Sequence, residues 1–317
     1  MTFSSLNVAV LMGGPSAEAE VSRMSAGEVS NALTAADHRA TLLELDATTA
    51  SALQELNPDV VFPALHGPPG EDGTVQGFLE LLGYPYVGSD VRGSAVAMDK
   101  SLAKAVFRRE GLPVTDDLVI VQGADAQRAE ARIRDQLGDR IVIKPLCQGS
   151  AIGVTLVTDG GKLGDAIESA LSYDCGVLVE PYVQGREITV GVLDLYGAEP
   201  KALPVIEIRT ASNEWYDYTN RYTVGKSEHI IPAPLPEDLN AELQAIALTA
   251  HAALNLRDLS RADYIVSDTG DIALLEVNTL PGMTTTSLFP DAALAMGMNF
   301  STLADALVQS AHQRGNR

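Results

Sequence analysis

Residues 7–15 read Asn7-Val-Ala-Val-Leu-Met-Gly-Gly-Pro15, an apolar β-prone run that stops at two glycines and a proline. Residues 18–33 follow with helical patterning, so the sequence predicts a strand, a glycine turn and a helix. A second apolar run ends in Gly and Pro over residues 60–70 and precedes a helical pattern at residues 74–82. Strands that alternate with helices form parallel sheets whose loops carry functional sites. We therefore predict a small α/β domain over residues 1–97.

The chain beyond residue 97 has a different pattern. A charged amphipathic helix begins at Lys100, and strand-like period-two runs follow it with one convincing helix, residues 162–171, between them. The runs are residues 118–121, 140–144, 153–157 and 177–180, and later ones are 187–195, 202–208, 264–267 and 272–277. Two more helices are predicted near residues 239–254 and 300–313. This pattern indicates an antiparallel-rich α+β unit.

Residues 211–236 show no regular periodicity and contain four Tyr and Trp side chains. A loop of this length inside a compact domain is usually functional. We therefore expect it to serve the site.

Length and composition restrict the class of protein. The 317 residues suggest two domains, with three small ones as the alternative, and 46% hydrophobic residues are typical of a globular chain. The net charge of −20 repels nucleic acid and anionic lipid, so neither is an expected partner. No uncharged apolar run is long enough for a membrane helix, and the two cysteines are too few for a disulfide framework. We expect a cytoplasmic protein.

Oxygen-bearing side chains end an apolar strand at Glu276-Val277-Asn278. Alternation along a strand places Glu276 and Asn278 on one face, and a hairpin would bring Asp263 opposite Glu276. Hard oxygen ligands without His or Cys favour magnesium. The alternative is a solvated hairpin with ordinary surface acids.

A second candidate site lies at Lys144-Pro145 and the following segment, residues 148–153, where backbone N–H groups can face an anion. Lysine beside a Gly-Ser loop is typical of a phosphate site, although a lysine on a strand before a turn is also commonplace. His66 can be a general base, an anion contact or a strand-end residue. Glu18 and Glu20 can simply complement the helix dipole.

Six motifs follow one another along residues 6–310. They are residues 8–22, residues 64–77, Met98-Asp-Lys100, Lys144-Pro145, Tyr216-Asp-Tyr218 and Leu275-Glu-Val-Asn-Thr-Leu-Pro-Gly-Met-Thr284. Together they resemble the D-alanine:D-alanine ligases of the ATP-grasp superfamily, over nearly the whole chain.

The resemblance implies a mixed α/β and α+β fold: an N-terminal parallel-sheet domain, residues 1–97, a central ATP-grasp subdomain, residues 98–184, and a C-terminal one, residues 185–317. The irregular segment 211–236 would be a lid that excludes water from the reaction. The implied activity is ATP-dependent ligation of two D-alanines through a D-alanyl phosphate, for peptidoglycan and the bacterial cell wall. A homodimer is the usual form of the family.

The resemblance also implies roles for individual residues. ATP would be held by Lys100, Lys144, Glu180, Val183, Glu187 and Arg221, and two Mg²⁺ ions, which Mn²⁺ can replace, by Asp263, Glu276 and Asn278. The catalytic set would be Glu18, Ser150, Tyr222, Arg261, Gly282 and Ser287. Glu18 would take the ammonium of the first D-alanine beside His66, and Arg261 with the Gly282 N–H would stabilise an oxyanion. Ser287 and the Leu288 N–H would hold the carboxylate of the second D-alanine.

Some positions depart from the family pattern. Arg221 stands where a lysine is usual, and Pro181 where a lysine often meets adenine. Residues 146–151, Leu-Cys-Gln-Gly-Ser-Ala, lack one charge of each sign near the triphosphate. The alternatives are a ligase with another product, such as a depsipeptide, which Tyr222 disfavours, and a non-catalytic binding protein, which the intact acidic and arginine set disfavours.

Overall fold

The computed structural model describes residues 5–158, 162–173, 176–210, 223, 225–284 and 286–315, apart from the side chain of Ala126. These residues form three sheets with helices packed on them. The part of the chain described contains no helix that is both long and apolar enough to cross a membrane.

The first sheet is parallel and is built as the glycine-terminated apolar runs predict. Its strands, in the order β2-β1-β3, are β1 (Asn7–Met12), β2 (Arg39–Glu44) and β3 (Val60–Pro63). Its helices are α1 (Ala19–Ala35), α2 (Thr49–Leu56) and α3 (Thr74–Leu82). Because β1 and β3 are neighbours and parallel, the loops that follow them meet at one edge of the sheet, which brings residues 13–18 close to residues 64–73.

Helices α4 (Val91–Met98) and α5 (Lys100–Arg109) lead into the second sheet. This sheet is antiparallel, in the order β4-β7-β5-β6, and its strands are β4 (Leu118–Val121), β5 (Ile141–Pro145), β6 (Thr155–Val157) and β7 (Gly176–Pro181). Two helices cover it, α6 (Ala126–Leu137) and α7 (Leu163–Leu171). The prediction of a single helix here was wrong: among the described side chains of α6 only Ala129 and Ile133 are buried, too few for a clear apolar stripe.

The third sheet is antiparallel in the order β11-β10-β8-β12-β13, and β9 pairs with β8. Its strands are β8 (Arg186–Asp194), β9 (Lys201–Ala202), β10 (Ile206–Thr210), β11 (Ser227–Ile230), β12 (Asp258–Val266) and β13 (Ile272–Asn278). The accompanying helices are α8 (Glu237–Ala253), α9 (Leu288–Ala295) and α10 (Phe300–Arg314). Strand β12 begins earlier than predicted because its first residues include Asp258, Ser260 and Arg261, which are buried although they are polar.

The prediction of an irregular loop over residues 211–236 was wrong in part, because β11 lies inside it and pairs with β10. Residues 211–222 and 224 lie outside the described residues. The predictions for Arg221 and Tyr222, and for the lid itself, therefore stay predictions.

One apolar core joins the first sheet to the third. Phe62 of β3 and Leu33 of α1 belong to the same buried cluster as Phe289 of α9 and Leu307 of α10. A separate core lies under the second sheet and includes Ile133. Burial of apolar surface drives both, at about 25 cal/mol per Å².

Candidate active site

Two adjacent pockets open where the three sheets meet. The small pocket, with a cavity volume of about 70 Å³, lies between the loops of the first sheet and the end of β13. The large pocket, of about 720 Å³, lies between the second and third sheets and has the size of a nucleotide site. Lys100, Gln148 and Glu276 line both pockets, so the two are contiguous.

Glu18 stands at the start of α1 and is 3% exposed at the wall of the small pocket. Its carboxylate accepts a hydrogen bond from Ser150, which comes from the loop after β5. Ser150 and Ala151 reach this position in left-handed conformations, with φ of 48° and 58°. Gly67 also packs closely here, since a Cβ on it would lie 2.8 Å from Oε2 of Glu18. Glu18 and Ser150, two members of the predicted catalytic set, are therefore in direct contact.

His66 is buried at the end of β3, where its Nε2 lies 3.0 Å from Oγ of Ser25. Burial, reinforced by the positive charge of Arg261, lowers the pKa of His66 from 6.5 to about 4. The imidazole is therefore neutral at pH 7. It lines the small pocket as a hydrogen-bonding group and not as a cation.

Glu71 is a pocket residue that the sequence analysis missed. It is 6% exposed, lines the small pocket and accepts a hydrogen bond from the Gly67 N–H at 2.7 Å. Burial, with the charge of Glu18 nearby, raises the pKa of Glu71 from 4.5 to about 8, so this carboxyl group is mainly protonated at pH 7. The signal available was an acid inside the Gly-rich turn that follows a buried strand.

Strands β12 and β13 form the predicted hairpin, with Asp263 opposite Glu276 and Arg261 opposite Asn278. Arg261 binds Asp263 through two hydrogen bonds of 2.8 and 2.7 Å, and Thr189 donates a third at 2.6 Å. These contacts fix the guanidinium at the small pocket, which Arg261 lines together with Asn278.

The donor set at this hairpin suits a hard divalent cation. No group of three His, Cys, Asp or Glu side chains able to hold a metal occurs in the described parts of the chain. Asp263 and Glu276 are paired across the two strands, and Asn278 lies two residues beyond Glu276, so the hairpin offers two carboxylates and one amide, the kind of oxygen ligands that Mg²⁺ prefers. Lys100 Nζ lies 3.3 Å from Oε2 of Glu276, which places a positive charge at the same point.

In the large pocket, Glu180 is buried and contacts both Lys104 and Lys144, the latter at 2.6 Å. Burial alone would raise the pKa of Glu180, but the two ammonium groups outweigh it and lower the pKa to about 2. Val183 and Glu187, for which nucleotide binding is predicted, line the same pocket.

The loop after β13 supplies the far side of the small pocket. Oγ of Ser287 accepts a hydrogen bond from the Thr284 N–H at 2.9 Å, and Leu288 begins α9. A Cβ on Gly282 would lie 2.8 Å from Oγ of Ser287, so the chain passes close to this hydroxyl. Ser287 and Leu288 both line the small pocket, so the N-terminus of α9 lies at the pocket edge.

The structure brings most predicted site residues together in two groups. The small pocket is lined by Glu18, His66, Lys100, Ser150, Arg261, Glu276, Asn278, Gly282, Ser287 and Leu288. The large pocket is lined by Lys100, Lys144, Glu180, Val183, Glu187 and Glu276. Asp263 lies behind them, held by Arg261.

Two family models and two curated relatives that match this chain all describe D-alanine–D-alanine ligases. Residues 44–89 match the family described as D-ala D-ala ligase N-terminus, and residues 106–309 match D-ala D-ala ligase C-terminus. The chain is 43% identical to a D-alanine–D-alanine ligase of Moorella thermoacetica over 310 residues, which are 96% of this chain and 99% of that protein. It is 45% identical to one of Syntrophobacter fumaroxidans, with 98% and 99% covered.

Solved structures give the same result. A D-alanine–D-alanine ligase of Bacillus anthracis complexed with ATP superposes with a TM-score of 0.84 at 33% identity, over 98% of both chains. The VanG D-Ala:D-Ser ligase of Enterococcus faecalis superposes with a TM-score of 0.81 at 30% identity, over 97% of this chain and 100% of that chain.

A parallel-sheet domain beside two antiparallel sheets that enclose a nucleotide-sized pocket is the architecture of an ATP-grasp ligase. Within that class, the chain belongs to the D-alanine–D-alanine ligase family. It is an enzyme that joins two D-alanines at the expense of ATP, for peptidoglycan synthesis.

Proposed function

We propose that the two pockets divide the ligation reaction between them, with ATP in the large pocket and the D-alanines in the small one. The γ-phosphoryl group passes from ATP to the carboxylate of the first D-alanine, which gives an acyl phosphate and ADP. The amine of the second D-alanine then attacks the acyl carbon, loses a proton and displaces phosphate. The observation that supports this division most directly is that Lys100 and Glu276 line both pockets, at the point where the phosphoryl group must cross.

The nucleotide side rests on charge and size. Lys100 and Lys144 neutralise phosphate oxygens, while Glu180, Val183 and Glu187 hold adenine and ribose. Their positions on the wall of a pocket of about 720 Å³ support these assignments. Arg221 is assigned to the γ-phosphate on the family resemblance alone.

Magnesium is the proposed cofactor. Asp263, Glu276 and Asn278 would hold two ions, and Mn²⁺ would substitute because it accepts the same oxygen ligands. When bound, the ions neutralise charge on the transferring phosphoryl group. The hairpin that places these side chains close together supports the assignment.

The substrate side rests on the polar wall of the small pocket. Glu18, oriented by Ser150, accepts the ammonium of the first D-alanine, and the neutral His66 lies beside it. Arg261 and the Gly282 N–H stabilise the oxyanion that forms when the amine attacks. The Ser287 hydroxyl and the Leu288 N–H bind the carboxylate of the second D-alanine.

We also propose three domains with boundaries near residues 97 and 184, one sheet in each, a homodimer, and cytoplasmic location. The three separate sheets support the domain division. Dimerisation and location follow from the family resemblance.

ATP-dependent phosphate release, measured with and without D-alanine, tests the activity. Release that requires D-alanine and yields D-alanyl-D-alanine is the expected result, and a chain that binds ATP without turnover would contradict it.

Asn278→Ala tests the metal assignment. We expect turnover to fall by at least about 100-fold, because the proposed metal site would lose one of its oxygen ligands. The thermal melting temperature should remain close to that of the unaltered chain, because the side chain is half-buried. Full activity of this variant at limiting Mg²⁺ would remove Asn278 from the ligand set.

A further inference from the structure

Helix α5 carries three basic side chains one turn apart, Lys100, Lys104 and Arg108, which we call the basic stripe. Residues four positions apart share one helix face. Lys100 faces Glu276 between the two pockets, and Arg108 contacts Asp117 at the opposite end of the helix. Lys104 lies between them, fully buried behind the wall of the large pocket.

Lys104 has three oxygen partners. Its Nζ contacts Oε1 of Glu180, donates to Oγ1 of Thr115 at 2.8 Å and lies 3.4 Å from Oδ1 of Asp117. An ammonium group has three N–H donors, so these partners satisfy it. A buried charge persists only where it is paired in this way. The three oxygen atoms around Lys104 therefore stabilise its charged form.

Glu180 is the partner that reaches the large pocket. Its Oε1 contacts Lys104 and accepts from Thr115 at 2.8 Å, and its Oε2 lies 2.6 Å from Nζ of Lys144. A carboxylate offers about four acceptor positions, so these three donors hold it in one orientation and leave one position for a donor on the nucleotide.

The charges of this group also matter. The cluster of groups in contact has three positive charges, on Lys104, Lys144 and Arg108, and two negative charges, on Glu180 and Asp117, so one positive charge remains beside the pocket. Without Lys104, Glu180 would neutralise Lys144 and could turn toward it. The wall would then lose both its field for a triphosphate and the fixed orientation of the carboxylate.

We propose that Lys104 is a positioning residue for nucleotide binding, which acts by fixing Glu180 and, through it, Lys144 in the wall of the large pocket. The proposal rests on the proposed function, because it takes the large pocket as the ATP site. Lys104 itself touches no substrate. It differs in this respect from Lys100, the other lysine of the basic stripe.

The test uses the full chain and ATP with Mg²⁺ as the probe, with binding measured by calorimetry and turnover by phosphate release. Lys104→Met keeps the volume of the side chain and removes its charge. We expect the Kd for ATP to rise by about tenfold or more, while the KM for D-alanine at saturating ATP changes less than about twofold. If Lys104 had only a structural role, its substitution would weaken the binding of ATP and of D-alanine alike. An unchanged Kd for ATP would overturn the proposal.

Arg314→Met is the matched control, because it removes a cation from another buried ion pair, that with Asp258, and neither of these residues lines the large pocket. It should lower stability and leave the Kd for ATP unchanged. If it weakened ATP binding as much as Lys104→Met does, loss of stability alone would explain both variants and the proposal would fail.

A double-mutant comparison covers the case in which Lys104→Met does not fold. Glu180→Gln is compared with the pair Lys104→Met and Glu180→Gln, in which both buried charges are absent. If Lys104 acts through Glu180, the two proteins bind ATP equally, within about twofold. A further loss of ATP affinity in the double variant would show that Lys104 acts independently of Glu180 and would overturn the proposal. Failure of the unaltered chain to bind ATP would instead refute the proposed function on which the inference rests.

Discussion

Glu71 and His66 both line the small pocket. Burial moves their pKa values in opposite directions, and in both cases it favours the uncharged form of the side chain. The pKa of Glu71 is raised to about 8 and that of His66 is lowered to about 4, so near pH 7 His66 is neutral and Glu71 is mainly so. Glu18 and Arg261 then carry the charges that face a zwitterionic substrate in this part of the pocket. A neutral lining strengthens the field of those two groups.

The raised pKa of Glu71 predicts a pH-dependent stability. Between pH 4.5 and 8 the folded chain keeps a proton on Glu71 that the unfolded chain has released, so the contribution of Glu71 to stability is greatest below pH 4.5 and is lost as the pH rises toward 8. The difference is on the order of 5 kcal/mol for a shift of this size. Glu71→Gln mimics the protonated carboxyl group. It should be more stable than the unaltered chain at pH 8 and similar to it at pH 4.5.

Urea unfolding at both pH values, without divalent cations, measures this effect. Glu55→Gln makes the same chemical change at an exposed position and serves as the control. Equal pH dependence in the unaltered chain and Glu71→Gln would show that Glu71 is ionised in the folded state.

At the scale of the element, the position of helix α5 depends on its first residues. Asp99 caps the helix by accepting hydrogen bonds from the N–H groups of Ser101 and Leu102 at 2.9 and 3.0 Å. The next residue, Lys100, lines both pockets and also donates to the Gln148 carbonyl at 2.6 Å. The cap thus fixes the start of the helix that carries the basic stripe.

Asp99→Ala should lower the free energy of unfolding by about 1 kcal/mol, the usual value of an N-cap. It should also raise the KM for ATP, because Lys100 loses its fixed starting position. Asp125→Ala is the control, since Asp125 caps α6 by the same kind of bond to the Arg128 N–H, at 2.9 Å, away from both pockets. A similar KM for ATP in both variants would contradict the role assigned to the cap.

Sequence patterning predicts the elements that have a continuous apolar run, such as β1 and β3, or a periodic apolar face. The alternation of β1 and α1 and the carboxylate face of β13 follow from periodicity and from glycine turns. Strand β2 was missed because its six residues include no fully buried position. Patterning also cannot reveal Lys104 or Glu71, because a charged residue is buried only by partners from distant parts of the chain, such as Glu180 for Lys104. Family resemblance, not patterning, supplied the functional roles.

At the scale of the whole molecule, Asp258 joins three distant segments. It is fully buried at the start of β12 and accepts hydrogen bonds from Arg314 at 2.8 Å, Ser310 at 2.9 Å and the Gly88 N–H at 2.8 Å. The first two donors lie on α10, and the third lies in the segment after β3. This contact holds the first sheet and the third sheet in one orientation, and the small pocket lies between them.

Arg314→Met should therefore lower the free energy of unfolding by about 3 kcal/mol or more, because it leaves a buried carboxylate without its cation. Chemical denaturation measures the loss. Arg134→Met removes an exposed arginine that contacts Asp139 and should change stability by less than about 1 kcal/mol. Equal effects of the two substitutions would show that the Asp258 contact does not hold the sheets together.

The basic stripe has a consequence for inhibitors. A compound that competes with ATP for the large pocket would select substitutions that weaken its binding. Substitutions that displace α5 would also displace Lys100 beside Glu276, and turnover would fall with drug affinity. We therefore expect resistance substitutions at positions of the pocket wall outside this helix, such as Tyr182 or Ile208. A compound that contacts α5 itself should meet fewer resistance substitutions, because those in the helix also lower turnover.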